Sequence, residues 1–247
     1  MRRHLEQNQQ VVPTGVDDSE RVQQRKSRVV ALQTATVACV LIAYSVGNGQ
    51  ESLQEPPKAD DSLFSAADFD KEFEQRWIYF AAPNGVKRGD IWKASKGATN
   101  NDDVLVCMGK PFGYIRTKNA YENYEFALEW KYPKEQDGNS GILIHTTGKD
   151  QIWPKSIQVQ LHAPKAGSVF AVQDARTDNK VDATGLSKPM DQWNSCVITC
   201  KKGSISVVIN GKKAGEVTGC MPSKGTIALQ SEGSEVHFRR IRLRKLK

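Results

Sequence analysis

From about residue 68 onward the sequence predicts an all-β antiparallel sandwich, and three observations indicate this fold class. Apolar and polar residues alternate with a period of two in several short runs, as in strands that bury one face. Turn residues separate the runs, and 19 glycines and 10 prolines suit a turn-rich fold. Apart from residues 68–76, this region has no pattern of a long amphipathic helix. Many short strands at this spacing are typical of a β-sandwich.

The alternation is clearest in five runs, whose outward residues are predicted to be the polar ones between the apolar positions. The runs are Phe126, Leu128, Trp130 and Tyr132; Ile157, Val159 and Leu161; Ile205, Val207 and Ile209; Ile227 and Leu229; and Val236, Phe238 and Arg240. The third run leads into Asn210-Gly211, a dipeptide that favours the tight turn of a β-hairpin. This pattern predicts a hairpin at that position.

The net charge of +7 is concentrated at the two ends of the chain. Residues 1–28 carry a charge of +2 and residues 239–247 carry +6, which leaves −1 for the residues between them. A nearly neutral body argues against general binding of polyanions, and no nucleic-acid partner is expected. The basic residues of 239–247 alternate around Ile241, Leu243 and Leu246, which predicts an edge strand. The alternative is that this basic segment serves an envelope scaffold.

Residues 29–47 contain no charged side chain and follow a basic tail, residues 1–28. As a hydrophobic helix rising about 1.5 Å per residue, the segment is long enough to cross a bilayer core. It is either a signal peptide cleaved near Ser45 or Gly47, or an uncleaved single-span membrane anchor. Both alternatives export the rest of the chain, so the expected location is the periplasm or the cell surface.

Residues 48–67 are polar and contain the pair Pro56-Pro57, so they are predicted to form a linker. The folded domain is then predicted to span residues 68–247.

Export would place four cysteines of this domain in an oxidising compartment, where disulfides form. They are Cys107, Cys196, Cys200 and Cys220. Cys196 and Cys200 lie on one predicted strand, roughly 13 Å apart at ~3.3 Å per residue, which is too far for a mutual disulfide. Either of them could pair with Cys220 across the hairpin that separates them.

Polar residues with binding chemistry follow the predicted strand of Ile157, Val159 and Leu161. Gln158, Gln160 and His162 form a row on its opposite face. Since facing side chains on adjacent strands lie ~4.5–5.5 Å apart, residues of other strands can join such a row. The three candidates are Glu129, His145 and Gln230. The row is either a binding face or a plain solvated surface.

Longer motifs occur in a fixed order along residues 70–247. They are residues 103–117, 121–130, 138–144, 153–160, 193–194, 209–211, 225–233 and 237–241. With these motifs the sequence resembles the 3-keto-disaccharide hydrolase domain family over nearly the whole predicted domain. The resemblance implies a concanavalin A-like jelly-roll sandwich, typically exported from a bacterial cell, which agrees with the strand pattern.

The resemblance also implies action on glycosides already oxidised to a ketone at sugar carbon 3. Such a carbonyl acidifies the C2 proton, and the glycosidic oxygen on C1 can then leave by elimination. The reaction needs a base near C2, a donor or metal that stabilises the enolate, and a way to add water back. A two-carboxylate glycosidase would need paired acids, and the sequence offers no convincing pair. The expected partner is an oligosaccharide or 3-keto-glycoside, and the expected cofactor is none or a divalent metal with unidentified ligands.

The resemblance assigns candidate roles to eight residues of this sequence, and His145 and His162 are further candidates because of their imidazole chemistry. Glu129, His162 and His145 are candidate bases, and each of them is also a candidate metal ligand. The candidate substrate-binding residues are Asn139, Ser140, Gln158, Gln160, Trp193, Asn194 and Gln230. Asn139 and Ser140 bind sugar hydroxyls or only form a turn, and Trp193 stacks on a sugar or belongs to the core.

The sequence departs from the family pattern at Gln158 and His145, where glutamate and arginine are common. An amide at Gln158 neither abstracts a proton at neutral pH nor offers a metal a full negative charge. Sugar binding is compatible with these changes, whereas catalysis is called into question. The alternative function is therefore a non-catalytic, lectin-like carbohydrate-binding module, held at the membrane if residues 29–47 are uncleaved.

Overall fold

The computed structural model describes residues 62–99 and 102–247, which form two short α-helices, a 3-10 helix (Ala163–Lys165) and 13 strands. The α-helices are α1 (Phe69–Arg76) and α2 (Arg88–Ile91). The strands are β1 (Trp77–Ala82), β2 (Trp92–Ser95), β3 (Val104–Cys107), β4 (Phe112–Thr117), β5 (Tyr124–Lys131), β6 (Gly141–Thr147), β7 (Lys155–Gln160), β8 (Val169–Val172), β9 (Asn194–Lys201), β10 (Ser204–Ile209), β11 (Lys212–Val217), β12 (Thr226–Ser231) and β13 (Val236–Lys245).

The strands form two antiparallel sheets packed as a jelly-roll sandwich. The six-stranded sheet has the order β1-β4-β12-β6-β7-β8, and the seven-stranded sheet has the order β11-β10-β9-β5-β13-β3-β2. The predicted all-β two-sheet fold is confirmed. Helix α1 also confirms that residues 68–76 differ from their surroundings.

The core lies between the two sheets and consists of the alternating apolar residues. The core between the sheets includes Phe126, Leu128 and Trp130 from β5 and Ile157 and Val159 from β7. Each inner face is continuous because the period of two places every second side chain on the same side. The polar residues between these positions therefore lie on the outer faces.

The hairpin predicted at Asn210-Gly211 joins β10 to β11. Both residues have a positive φ, 51° for Asn210 and 77° for Gly211. Asparagine and glycine tolerate this backbone conformation better than other residues, and it matches the right-handed twist of the flanking strands. The sequence signal and the structure agree here.

The predicted edge strand at residues 239–247 is confirmed in part. β13 lies between β5 and β3, but β3 pairs only with Val236–Arg239. Beyond Arg239 the strand pairs with β5 on one side and, among the described residues, has only an isolated bridge from Ser62 to Arg242 on the other. Its pairing with β5 shifts in register between Arg239 and Arg242, and Arg240 has a φ of 53°. This β-bulge moves the buried positions from Val236 and Phe238 to Ile241 and Leu243, so Arg240 does not continue the apolar register.

The folded domain begins by residue 62, earlier than the predicted boundary at 68. The backbone amide of Leu63 donates to the carbonyl oxygen of Ile241 at 3.0 Å, and Phe64 is buried in the core. These two apolar residues end the stretch that was predicted to be a linker. The remaining linker and the segments 1–28 and 29–47 lie outside the described residues.

The four cysteines in the described part of the chain are free and buried. Cys196 and Cys200 both lie on β9, as predicted, and both face the core. Burial raises the pKa of Cys200 to about 12, so its thiol stays protonated at neutral pH. The possible disulfide from Cys196 or Cys200 to Cys220 is absent from this part of the structure.

Among the described residues, no helix is both long and apolar enough to span a bilayer.

Candidate functional site

The outer face of the six-stranded sheet carries a cluster of polar and aromatic side chains. Gln230 on β12 lies directly across from Tyr114 on β4, and Gln158 on β7 lies across from Phe170 on β8. Tyr114 belongs to a small apolar cluster separate from the core between the sheets. The predicted grouping of Gln158 with Gln230 on one face is therefore confirmed.

A loop of residues 148–154, which joins β6 to β7, folds over this face. Asp150 of the loop accepts a hydrogen bond from the Tyr114 hydroxyl at 2.7 Å. It also accepts two bonds from the Arg116 guanidinium, at 2.8 Å to Oδ1 and 3.1 Å to Oδ2. Because Tyr114 and Arg116 both belong to β4, two strands away from β6, these bonds fix the loop across the sheet.

The ion pair between Asp150 and Arg116 keeps its charges at neutral pH. Burial alone would raise the pKa of Asp150, but the hydrogen bonds from Arg116 and Tyr114 outweigh it and lower that pKa. The pKa of Arg116 is raised, mainly by its hydrogen bond to Asp150. The pair is a charge-assisted, two-bond contact, which gives the loop a defined position.

Glu232, which follows β12 by one residue, is the carboxylate of this face. Its Oε1 accepts a hydrogen bond from the Trp153 indole nitrogen Nε1 at 3.0 Å. Its Oε2 is enclosed and makes no hydrogen bond to any described residue. Burial raises the pKa of Glu232, although Trp153 and the nearby His162 act in the opposite direction. An enclosed carboxylate with a raised pKa and one oxygen without a hydrogen-bond partner suits a general base.

The side chains of Gln230 and Gln158 lie over Gly141 at the start of β6. A Cβ atom added at Gly141 would lie 2.1 Å from Gln230 Oε1 and 2.9 Å from Gln158 Nε2. The two amide ends are therefore neighbours, and the glycine gives them the room. Gln230 Oε1 is buried and has no partner within the described structure, so its acceptor capacity is unused.

His162 and Gln160 lie at the margin of this group. Gln160 Oε1 accepts hydrogen bonds from the backbone amides of Leu161 and His162, at 3.0 and 3.1 Å. Gln160 therefore shapes the chain that carries His162. His162 is close enough to Glu232 to influence its pKa. We call Tyr114, Trp153, Gln158, His162, Gln230 and Glu232 the outer-face site.

Glu129 and Trp193 do not join this site. Glu129 lies on β5 of the seven-stranded sheet, so its predicted place in the polar row is wrong. Its two oxygens bind Arg239 Nε at 2.6 Å and an Arg240 guanidinium nitrogen at 2.9 Å. The Arg239 guanidinium also lies 4.1 Å from the centre of the Trp193 ring. The β-bulge of β13 brings both arginines to Glu129, which explains this structural pairing.

His145 is also separate from the outer-face site, although it lies on β6. It is 1% exposed, and its ring meets that of the core residue Tyr124 edge-on with 5.8 Å between centres. Burial lowers the pKa of His145 to about 4, so the ring is neutral at pH 7. The pairings of β6 shift in register here and His145 has a φ of 54°, which reverses the expected alternation.

The side chains of Ser140 and Asn194 make hydrogen bonds within the fold. The Ser140 hydroxyl donates to the carbonyl oxygen of Gln230 at 2.9 Å, beside the site but directed to the backbone. Asn194 Oδ1 accepts bonds from the Lys188 amide at 2.7 Å and from Asn210 Nδ2 at 2.8 Å. Asn139 differs, because its Oδ1 is buried without a partner among the described residues and so stays a candidate for binding.

Sequence reasoning did not single out Glu232, Trp153, Tyr114 or Asp150. A signal for Glu232 was present, because it extends the alternation of Ala228 and Gln230 along β12. No such signal existed for Asp150, which lies in a loop and reaches β4 only through the tertiary structure.

Within residues 62–99 and 102–247, no group of three or more His, Cys, Asp or Glu side chains could hold a metal ion. The expected divalent metal stays a prediction.

Fold and site together define a jelly-roll domain with one polar sheet face crossed by a loop. Its family is identified by the sequence, because the model of the 3-keto-α-glucoside-1,2-lyase-like domain matches residues 80–244. The chain belongs to this family, as its motifs predicted. Among curated proteins, no sequence matches the chain.

Two solved structures from Parabacteroides distasonis ATCC 8503, both described as candidate glycosyl hydrolases, share the fold. One is 23% identical, with a TM-score of 0.52 over 69% of this chain and 99% of its own. The other is 20% identical, with a TM-score of 0.51 over 69% of this chain and 89% of its own. At this level of identity, the likeness establishes the fold alone.

Proposed function

We propose that this protein is a carbohydrate-active enzyme that cleaves 3-keto-glycosides by elimination at the outer-face site. The base removes the C2 proton, and the electrons of that bond form an enolate with the C3 carbonyl. Collapse of the enolate breaks the bond between C1 and the glycosidic oxygen, which leaves as an alcohol once protonated. Water then adds to C1 and a proton returns to C2, which releases the free 3-keto sugar.

The observation that supports this proposal most is the environment of Glu232. The indole of Trp153 donates a hydrogen bond to one carboxylate oxygen, while the other oxygen is enclosed and has no hydrogen-bond partner among the described residues, so its capacity to accept a proton is unused. The raised pKa of Glu232 makes its carboxylate a stronger base than an exposed glutamate. Glu232 therefore provides the carboxylate of this face, because the side chain of Gln158 is an amide.

The two glutamines beside Glu232 have complementary roles in the proposal. The amide group of Gln158 donates hydrogen bonds to the developing enolate oxygen, and Gln230 Oε1 accepts one from a sugar hydroxyl. Trp153 is 44% exposed and offers an apolar surface to a sugar ring. A divalent metal is an alternative stabiliser of the enolate.

The proposal places the enzyme outside the cytoplasm, in the periplasm or at the cell surface. Its support is the uncharged segment 29–47, which has the pattern of a signal peptide or an anchor. Fractionation of cells that produce the full chain tests this part of the proposal.

The direct test incubates the purified full chain with a 3-keto-disaccharide, with and without added divalent metal, and measures released sugar. Release of one 3-keto sugar and one alcohol is expected. Saturable glycan binding without turnover in either condition would instead support the lectin-like alternative, which the exposed Trp153 and the amide at Gln158 favour.

We expect Trp153→Phe to shift the acid limb of the kcat/KM profile to higher pH. The phenyl ring keeps the apolar surface but removes the N–H donor that lowers the pKa of Glu232. The base is then protonated, and inactive, over a wider range of acidic pH. Trp193→Phe on the other sheet is the matched control. Superimposable profiles for the two variants would contradict this role of Trp153.

We expect Glu129→Gln to leave kcat and KM unchanged and to lower the free energy of unfolding by about 1–2 kcal/mol. Glu129 pairs with Arg239 and Arg240 on the other sheet, so its loss removes charge-assisted hydrogen bonds only. Urea denaturation and steady-state kinetics measure the two quantities. If Glu129→Gln lost as much turnover as a Glu232 variant, the reaction site would instead lie on the seven-stranded sheet.

A further inference from the structure

A cavity that is open to solvent lies along β8, the edge strand of the six-stranded sheet. Its volume is about 370 Å³, within the range that holds small ligands. Its walls combine an aromatic ring, an apolar side chain and charged groups. Its lining includes His162, Lys165, Phe170, Lys180, Val181 and Asp182.

This cavity adjoins the outer-face site. Phe170 on β8 lies directly across from Gln158 on β7. His162 lines the cavity and is also close to Glu232. A molecule whose reacting bond lies at Glu232 can therefore extend past His162 onto the ring of Phe170.

We propose that this cavity binds the part of the glycoside that leaves from C1, and that it favours a leaving group carrying a carboxylate. The inference rests on the proposed function, because it assigns a second portion of the same substrate. One sugar or phenyl ring fits the volume, with Phe170 and Val181 as apolar walls.

The preference for an anionic leaving group follows from the charged side chains that line the cavity. Lys165 Nζ binds Asp182 Oδ1 at 2.9 Å, so one ammonium group is already neutralised. Lys180 also lines the cavity, and Asp182 is its single acidic lining residue among those described. Two lysines against one carboxylate leave an excess positive charge, which attracts a carboxylate of the ligand.

The experiment uses the full chain and two 3-keto-glucosides with matched leaving groups, 4-hydroxybenzoate and its neutral amide, 4-hydroxybenzamide. We expect kcat/KM to be about fivefold higher for the carboxylate than for the amide at low salt, as for one surface ion pair. In Lys180→Gln the ratio should fall towards one. In the control Lys93→Gln, on β2 of the other sheet, it should keep its value. High salt should reduce the ratio in the unmodified protein.

Equal kcat/KM values for the two substrates in the unmodified protein would overturn the inference and leave the proposed function intact. If neither substrate is turned over, the proposed function fails, and an NMR titration with the same two glycosides decides the inference. Tighter binding of the carboxylate that is lost in Lys180→Gln would support the cavity. Equal binding of the two would refute it.

Discussion

Replacing Glu232 by glutamine should lower kcat on a 3-keto-glycoside by about 10²–10⁴-fold, the usual contribution of a general base. The amide has the shape of the carboxylate and still accepts the hydrogen bond from Trp153 Nε1. It cannot take up the C2 proton. The variant therefore removes the base and keeps the geometry around it.

The same variant should be as stable as the original protein at pH 7, or more stable. Burial raises the pKa of Glu232 above 4.5 in the folded state, so the ionised carboxylate opposes folding at neutral pH. The destabilisation of the fold by the ionised carboxylate grows as pH rises from 4.5 through the raised pKa, and it is absent at lower pH. The stability gain of Glu232→Gln should thus be present at pH 7 and vanish near pH 4.

Urea denaturation at both pH values, together with single-turnover kinetics, measures these two effects. A variant that retains its rate would rule out Glu232 as the base. A variant that loses both rate and stability would indicate a structural role for the carboxylate instead.

Gly141→Ala should reduce kcat/KM by about 10²-fold while the protein stays folded. The added Cβ would lie 2.1 Å from Gln230 Oε1 and 2.9 Å from Gln158 Nε2, so both amide ends must move. These atoms terminate flexible side chains, which can yield without disrupting β6. A displacement of about 1 Å in a substrate-positioning group is enough for such a loss.

Gly89→Ala is the matched control, because a Cβ atom there meets no heavy atom within 4 Å. Circular dichroism and thermal unfolding should show both variants to be folded. If Gly141→Ala retained full activity, neither Gln158 nor Gln230 would position the substrate. If it failed to fold, Gln230→Ala would test the same role without backbone strain.

The family resemblance and our proposal differ in the residue that supplies the reactive carboxylate. The resemblance singled out Glu129. A strand pattern does not reveal how far Glu129 lies from Gln158. Two outward residues on different strands look alike in sequence whether or not the strands share a sheet. Since β5 and β7 belong to different sheets, Glu129 and Gln158 face opposite sides of the sandwich.

His145 shows a second limit of pattern reasoning. Alternation assumes an unbroken register, and one bulge reverses every later position. Residues 142–147 contain no glycine or proline that marks the bulge, so the inward rotation of the imidazole was not predictable. The sequence likewise gives no signal of the β-bulge at Arg240.

The amino-acid sequence by itself determined the two-sheet fold, the hairpin at Asn210-Gly211, the core residues and the family. These features depend on local periodicity and turn chemistry, which each short segment carries independently. Only the tertiary structure decided which polar residues share a face. Asp150 reaches Tyr114, and Trp153 reaches Glu232, across 36 and 79 residues of chain. Contacts of that range depend on strand order and bulges, and no single segment encodes them.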